Sequence, residues 1–212
     1  MGCTMSTLPA LGYYQNVMIF VDQQNYYGRC RDYKKFADLK LLRRFLANED
    51  DGRILKEMVV YFGFPPQMRN EPEHWERIRR TLRNTINAIA YDGIMAVDWE
   101  GKPILDNDRN LVGFDANIDV LMAVDAFEFA VECRPDVVVL VTADGHFSHL
   151  AQKLRRRGIR VEVAGPKREM SNILQRSAND VIDLDEFITQ KLPTMGGGGG
   201  VGSFDDLEGE EF

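Results

Sequence analysis

Residues 136–147 read Asp-Val-Val-Val-Leu-Val-Thr-Ala-Asp-Gly-His-Phe, a run of five apolar residues that leads straight to a carboxylate at Asp144. Val-rich runs suit a pleated, packed surface. A run with no polar alternation fits a strand buried on both faces, as in a parallel sheet covered by helices. In open parallel sheets, ligands bind beyond the carboxyl ends of the strands. Asp144 therefore belongs at a ligand-binding edge if other carboxylates reach the same edge, and taken alone it is a helix cap.

The same pattern recurs along the chain. Asn16–Asp22 is a second apolar run ending in an acid. Ile54–Phe62, Gly93–Asp98, Ile159–Ala164 and Val181–Leu184 read as further strands. Helical spacing marks 38–46, 73–90, 118–131 and 147–157, the last closed by Gly158, and a short helix fits 171–177. Gly101–Gly113 reads as a polar loop. Strand–helix alternation of this kind predicts a three-layer α/β domain with a mostly parallel sheet of five or six strands.

The flanks differ from this body. Residues 1–14 read as a disordered leader, 15–192 as the folded domain, and 193–212 as a Gly-rich linker with an acidic tail. Of the net charge of −7, five units sit on Asp205, Asp206, Glu208, Glu210 and Glu211, so the body is nearly neutral. Local basic patches for nucleic acid remain compatible with that balance. No apolar run reaches the roughly 20 residues of a membrane helix, and three widely spaced cysteines imply reduced thiols in the cytoplasm. The opening Gly2, Cys3 and Ser6 fit a loose acylation pattern, for which an unstructured leader is the plainer reading.

Three acids converge in this topology. Asp22 ends the first strand and Asp144 the fourth, and adjacent first and fourth strands would bring them to one switch point. Asp119 opens the helix before the fourth strand, and Ala123, Ala126 and Ala130 follow it at helical spacing, so that helix lies close on the sheet. Asp125 falls six positions later, about 120° round the helix, and is a weaker candidate, as is Asp115. Carboxylates about 4 Å apart repel by on the order of 4 kcal/mol at an effective dielectric near 20. Such a cluster takes up protons or binds a hard cation, with Mg2+ or Mn2+ the natural partner.

The segments VMIFVDQQNYY, IDVLMAVDAF and VVLVTADGHFSHLAQKLRRRGIRVEV together resemble the NYN domains, PIN-like nucleases of Rossmann-like α/β fold, from about Asn16 to Phe187. The resemblance implies metal-dependent cleavage of RNA, with Asp22, Asp119 and Asp144 as metal ligands, Asn25 as the asparagine of the first motif and Asp125 as the second helix acid. Gln23 replaces the family's Gly, and His146 stands where a second Asp is usual. His146 is compatible with a ligand to a softer ion such as Mn2+, with a donor to phosphate, or with a plain helix-start residue. A catalytically weak nucleic-acid-binding or regulatory protein is the alternative that these departures raise.

For RNA, Lys167, Arg168 and Ser171 are expected to face the acidic edge, and Arg29 and Tyr27 follow the first motif. The acidic tail is compatible with a protein partner or with mimicry of nucleic acid, and oligomeric state is left open, a homodimer included.

Overall fold

The computed structural model describes residues 14–67 and 73–195. The expected leader and most of the tail lie outside the described residues. The folded body extends beyond the expected boundary at 192: Pro193 accepts a hydrogen bond from Phe36 N, and Thr194 bridges to Lys35.

The described residues form eight strands and seven α-helices. In chain order they are β1 (Gln15–Asp22), α1 (Gln23–Asp32), α2 (Leu39–Leu46), β2 (Arg53–Phe64), α3 (Glu73–Tyr91), β3 (Met95–Glu100), β4 (Lys102–Leu105), β5 (Leu111–Asp115), α4 (Ile118–Cys133), β6 (Val137–Val141), α5 (Ser148–Arg155), β7 (Arg160–Gly165), α6 (Asn172–Ser177), β8 (Asp180–Asp183) and α7 (Leu184–Lys191). Six strands form one parallel sheet in the order β3-β2-β1-β6-β7-β8. β1 and β6 are neighbours, so the chain reverses its direction of winding between them, and their carboxyl ends flank the switch point as expected.

Side-chain alternation splits the core in two. Val17, Ile19 and Val21 pack with α1, α2, α3 and α7 on one face. Met18, Phe20 and Tyr61 pack with α4, α5 and α6 on the other. All five residues of β6 are buried, as the uninterrupted apolar run implies. Each such side chain contributes about 1.5–3 kcal/mol relative to exposure. Met122, Ala126 and Ala130 are fully buried on α4, so the small residues do bring that helix close to the sheet.

Three elements differ from expectation. Within the expected loop 101–113, β4 and β5 pair as an antiparallel hairpin. β4 is exposed throughout, so no buried face left a pattern to read. α1 follows β1 directly because Asp22 caps it, its carboxylate accepting from Asn25 N. α1 is mostly polar and carries little apolar periodicity. The expected strand 181–184 stops at Asp183, which caps α7 from Leu184 onward, a helix the sequence reading does not include. Gly158 ends the α5 segment as expected, with φ +81°.

Candidate active site

Asp22 is the last residue of β1 and only 8% exposed. Its Oδ1 accepts from Asn25 N at 3.2 Å and its Oδ2 from Asn25 Nδ2 at 2.6 Å. The carboxamide oxygen of Asn25 accepts from Ala143 N across the β1–β6 seam at 3.3 Å. One asparagine thus orients the first carboxylate and ties it to the loop that carries the next.

That loop turns tightly after β6. Asp144 N donates to Thr142 Oγ1, and Asp144 Oδ1 accepts from His146 N at 2.9 Å, so Asp144 caps the 310 turn 145–147. A Cβ on Gly145 would lie 2.7 Å from Ser171 Oγ, so a larger residue there would push against the β7–α6 loop. Ser171 N donates to Ala143 O, which places that loop at the same edge, as the sequence suggests.

Asp119 stands in the first turn of α4. His146 Nδ1 lies 3.1 Å from Asp144 Oδ2 and 3.6 Å from Asp119 Oδ2, bridging the two carboxylates. Both acids are 35% exposed and the His146 side chain 78%. Among the described residues neither Lys nor Arg pairs with Asp22, Asp119 or Asp144. Burial pushes the Asp22 carboxyl above the usual carboxylate range; the Asn25 hydrogen bonds pull it partly back, and the charge of Asp144 pushes it further up.

A divalent ion is what such a set invites, and the donors fit in kind: hard carboxylate oxygens, mutually repelling, with no basic side chain to offset them. As the side chains stand, no three His, Cys, Asp or Glu groups among the described residues are placed to hold one ion. The acids meet in pairs, Asp22 beside Asp144 and Asp144 beside Asp119 through His146.

The other sequence candidates separate. Asp115 is exposed, and its Oδ1 accepts from Asn117 N, supporting the left-handed Asn117 before α4. Asp125 lies near the buried Tyr61 hydroxyl, whose pKa is raised by burial first and by Asp125 next. No hydrogen bond of good geometry joins the two, since the Tyr61 hydroxyl has no partner among the described residues. Lys167 and Arg168 are exposed on the β7–α6 loop. Arg29 is withdrawn: its guanidinium binds Asp185 at 2.8 and 3.0 Å and Glu169 at 2.9 Å and lies over Tyr33, with the side chain 15% exposed. It ties α1 to α7, so the expected phosphate contact there has no free guanidinium to make it. Tyr27 packs half-buried against the core beside Tyr26 and offers little face for stacking. The basic run Lys153–Arg157 ends α5, and that end of the helix leads into the amino end of β7, at the opposite edge of the sheet.

Further basic side chains, outside the sequence candidates, lie on α3. Arg77, Arg80 and Arg83 are exposed at i, i+3 and i+6, whereas Arg79 is buried. The apolar spacing of Trp75, Ile78 and Leu82 identifies the helix and says nothing of its outer face; four arginines in seven positions was the available signal.

The parallel α/β sheet with acids at its switch point defines a class, and comparison with known families narrows it. Residues 16–185 match the NYN domain, and the chain belongs to that family of PIN-like, generally nuclease-like domains, which typically use divalent metals. No curated protein matches the chain. Among solved structures, a protein of unknown function from Vibrio parahaemolyticus is similar over 82% of this chain and 95% of its own, with 25% identity and a TM-score of 0.55. Among the described residues no helix is long and apolar enough to cross a membrane.

Proposed function

We propose that this NYN protein is a Mg2+- or Mn2+-dependent ribonuclease that hydrolyses phosphodiester bonds of single-stranded RNA. The observation that carries the reading is the gathering of Asp22, Asp144 and Asp119 at one sheet edge with no Lys or Arg paired to them among the described residues. Asp22, Asp119 and Asp144 would hold the ion. When bound, a divalent ion supplies charge for a phosphate oxygen and lowers the pKa of an attacking water.

The chain's own groups have separable roles. Asn25 fixes the rotamer of Asp22 and keeps the β1 and β6 ends in register. Asp144 holds His146 by both its backbone N–H and its ring. A ring at that position, largely solvent-exposed, is placed to donate a proton to a phosphate or to a leaving oxygen. Lys167 and Arg168 would meet the flanking phosphates.

A second reading has its own observation. His146 sits between Asp119 and Asp144, where a cation would otherwise be drawn, which favours a binding protein with weak or no cleavage. Labelled single-stranded RNA incubated with Mn2+ or Mg2+ separates the two. Cleavage that is lost in Asp144→Asn and in chelator supports the nuclease; retained RNA binding with no cleavage under any divalent ion sinks it in favour of the second.

A further inference from the structure

The outer ridge of α3 carries a charge pattern that the acidic edge does not explain. Arg77, Arg80 and Arg83 step along one line of the helix, about 4.5 Å of rise apart, with exposed Asn84 and Asn87 beside them. No hydrogen bond or ion pair engages any of the three arginines among the described residues. Arg29, Arg53 and Arg160 are by contrast held by carboxylates, Arg155 by Ser177 O, and Arg157 lies over the Phe127 ring. Behind the ridge, buried Arg79 donates to Pro66 O, and its pKa is lowered by burial and by the charge of Arg83. Positive charge is thus concentrated at a cost in repulsion, in a chain whose net charge is −7.

The start of α3 packs on β5, the strand that precedes the helix carrying Asp119. Trp75, two residues before Arg77, donates from Nε1 to Leu111 O and meets Phe114 edge-on at 6.0 Å. Leu111 and Phe114 belong to β5, which runs within a few residues of Asp119. α3 leads from the carboxyl end of β2, beside Asp22, to the amino end of β3, so Arg77 lies nearer that edge than Arg83.

We infer that the Arg77–Arg80–Arg83 ridge of α3 binds the phosphate backbone of single-stranded RNA, as a second contact that extends the strand held at the acidic edge. Guanidinium groups match phosphate by charge and by paired donors, and the two asparagines add donors and acceptors for base edges. The identity of the polyanion as RNA rests on the proposed function; the ridge as an anion surface does not.

The test is fluorescence anisotropy of the full chain with labelled single-stranded RNA of about 12 nucleotides, within the span of known single-strand sites. It is run in chelator, so that binding is read without cleavage. Between about 50 and about 200 mM salt, the triple variant Arg77→Gln/Arg80→Gln/Arg83→Gln should lose about 2 from the slope of log affinity against log salt, at roughly 0.7 per phosphate contact. At about 0.1 M salt its affinity should fall on the order of tenfold or more. The triple Arg→Lys variant should keep most of the slope. An unchanged slope in the Gln variant, an equal loss in the Lys variant, or no RNA binding by the wild type at about 50 mM salt overturns the inference. Binding with the expected slope but no cleavage in Mn2+ or Mg2+ supports the ridge while removing the nuclease reading.

Discussion

Two buried carboxylates of the same sheet, one level with Ile19 in its middle and one at its carboxyl edge, are treated differently. Glu162 on β7 is 4% exposed, and Arg53 and Arg160 grip it with contacts of 2.8 to 3.2 Å. Asp22 at the carboxyl end of β1 is 8% exposed, and it has an amide for company and Asp144 as a neighbour. A buried charge needs a partner. Glu162 has two from the chain itself, whereas the partner for Asp22 has to come from outside, as a proton or a metal ion. The contrast separates a carboxylate kept for architecture from one kept for chemistry.

Removing acids at each place should break that comparison in opposite ways. Asp144→Asn or Asp119→Asn should lower metal-dependent RNA cleavage by more than about a hundredfold, since even outer-sphere changes cost ten- to a hundredfold. Thermal melts should show those variants folded. Glu162→Ala should instead leave Arg53 and Arg160 without their carboxylate and cost about 3 kcal/mol of stability by urea titration. The cleavage rate of the folded fraction should hardly change. Equal activity loss in both sets would show that the two places are not distinct.

Adding ligand should sharpen it. The raised pKa of Asp22 means that the folded state favours its protonated form. That contribution to stability is present at low pH and is lost as pH rises through the elevated folded value. A divalent ion acts the other way. At about a hundred times its dissociation constant it should stabilise the wild type by about 2.7 kcal/mol near neutral pH, and less as pH falls, because protons compete for the same oxygens. Calorimetric melts across pH with and without Mn2+ check this, and a metal effect that grows on acidification would contradict it.

Smaller effects are expected away from both places. Burial pushes the Cys30 thiol up to about 12, so a thiol reagent near pH 8 should label exposed Cys133 and spare Cys30 until the protein unfolds. Deleting residues 196–212 should strengthen RNA binding modestly at low salt if the five acids of the tail compete for the basic surfaces. Unchanged affinity would remove that competition.

Much of this was readable from the chain. The uniform apolar runs ending at Asp22 and Asp144 announced buried parallel strands, because a strand covered on both faces has no polar side to show. The alanines after Asp119 announced a helix lying close on the sheet. Elements without a hydrophobic face escaped: α1, held by its cap, and β4, exposed along its length.

What the sequence determined by itself is the alternation of elements and the presence of acids at strand and helix ends, because burial and capping are written locally in residue type and spacing. Only the tertiary structure decided which of those charges meet. It gave Arg29 to Asp185 and Glu169, Arg53 to Glu162, and His146 to Asp119 and Asp144. It left Asp22, Asp119 and Asp144 without a Lys or Arg, and Arg77, Arg80 and Arg83 without a carboxylate, among the described residues. Ion pairing acts through space over a few ångströms between residues as many as 156 positions apart, and no local pattern records it.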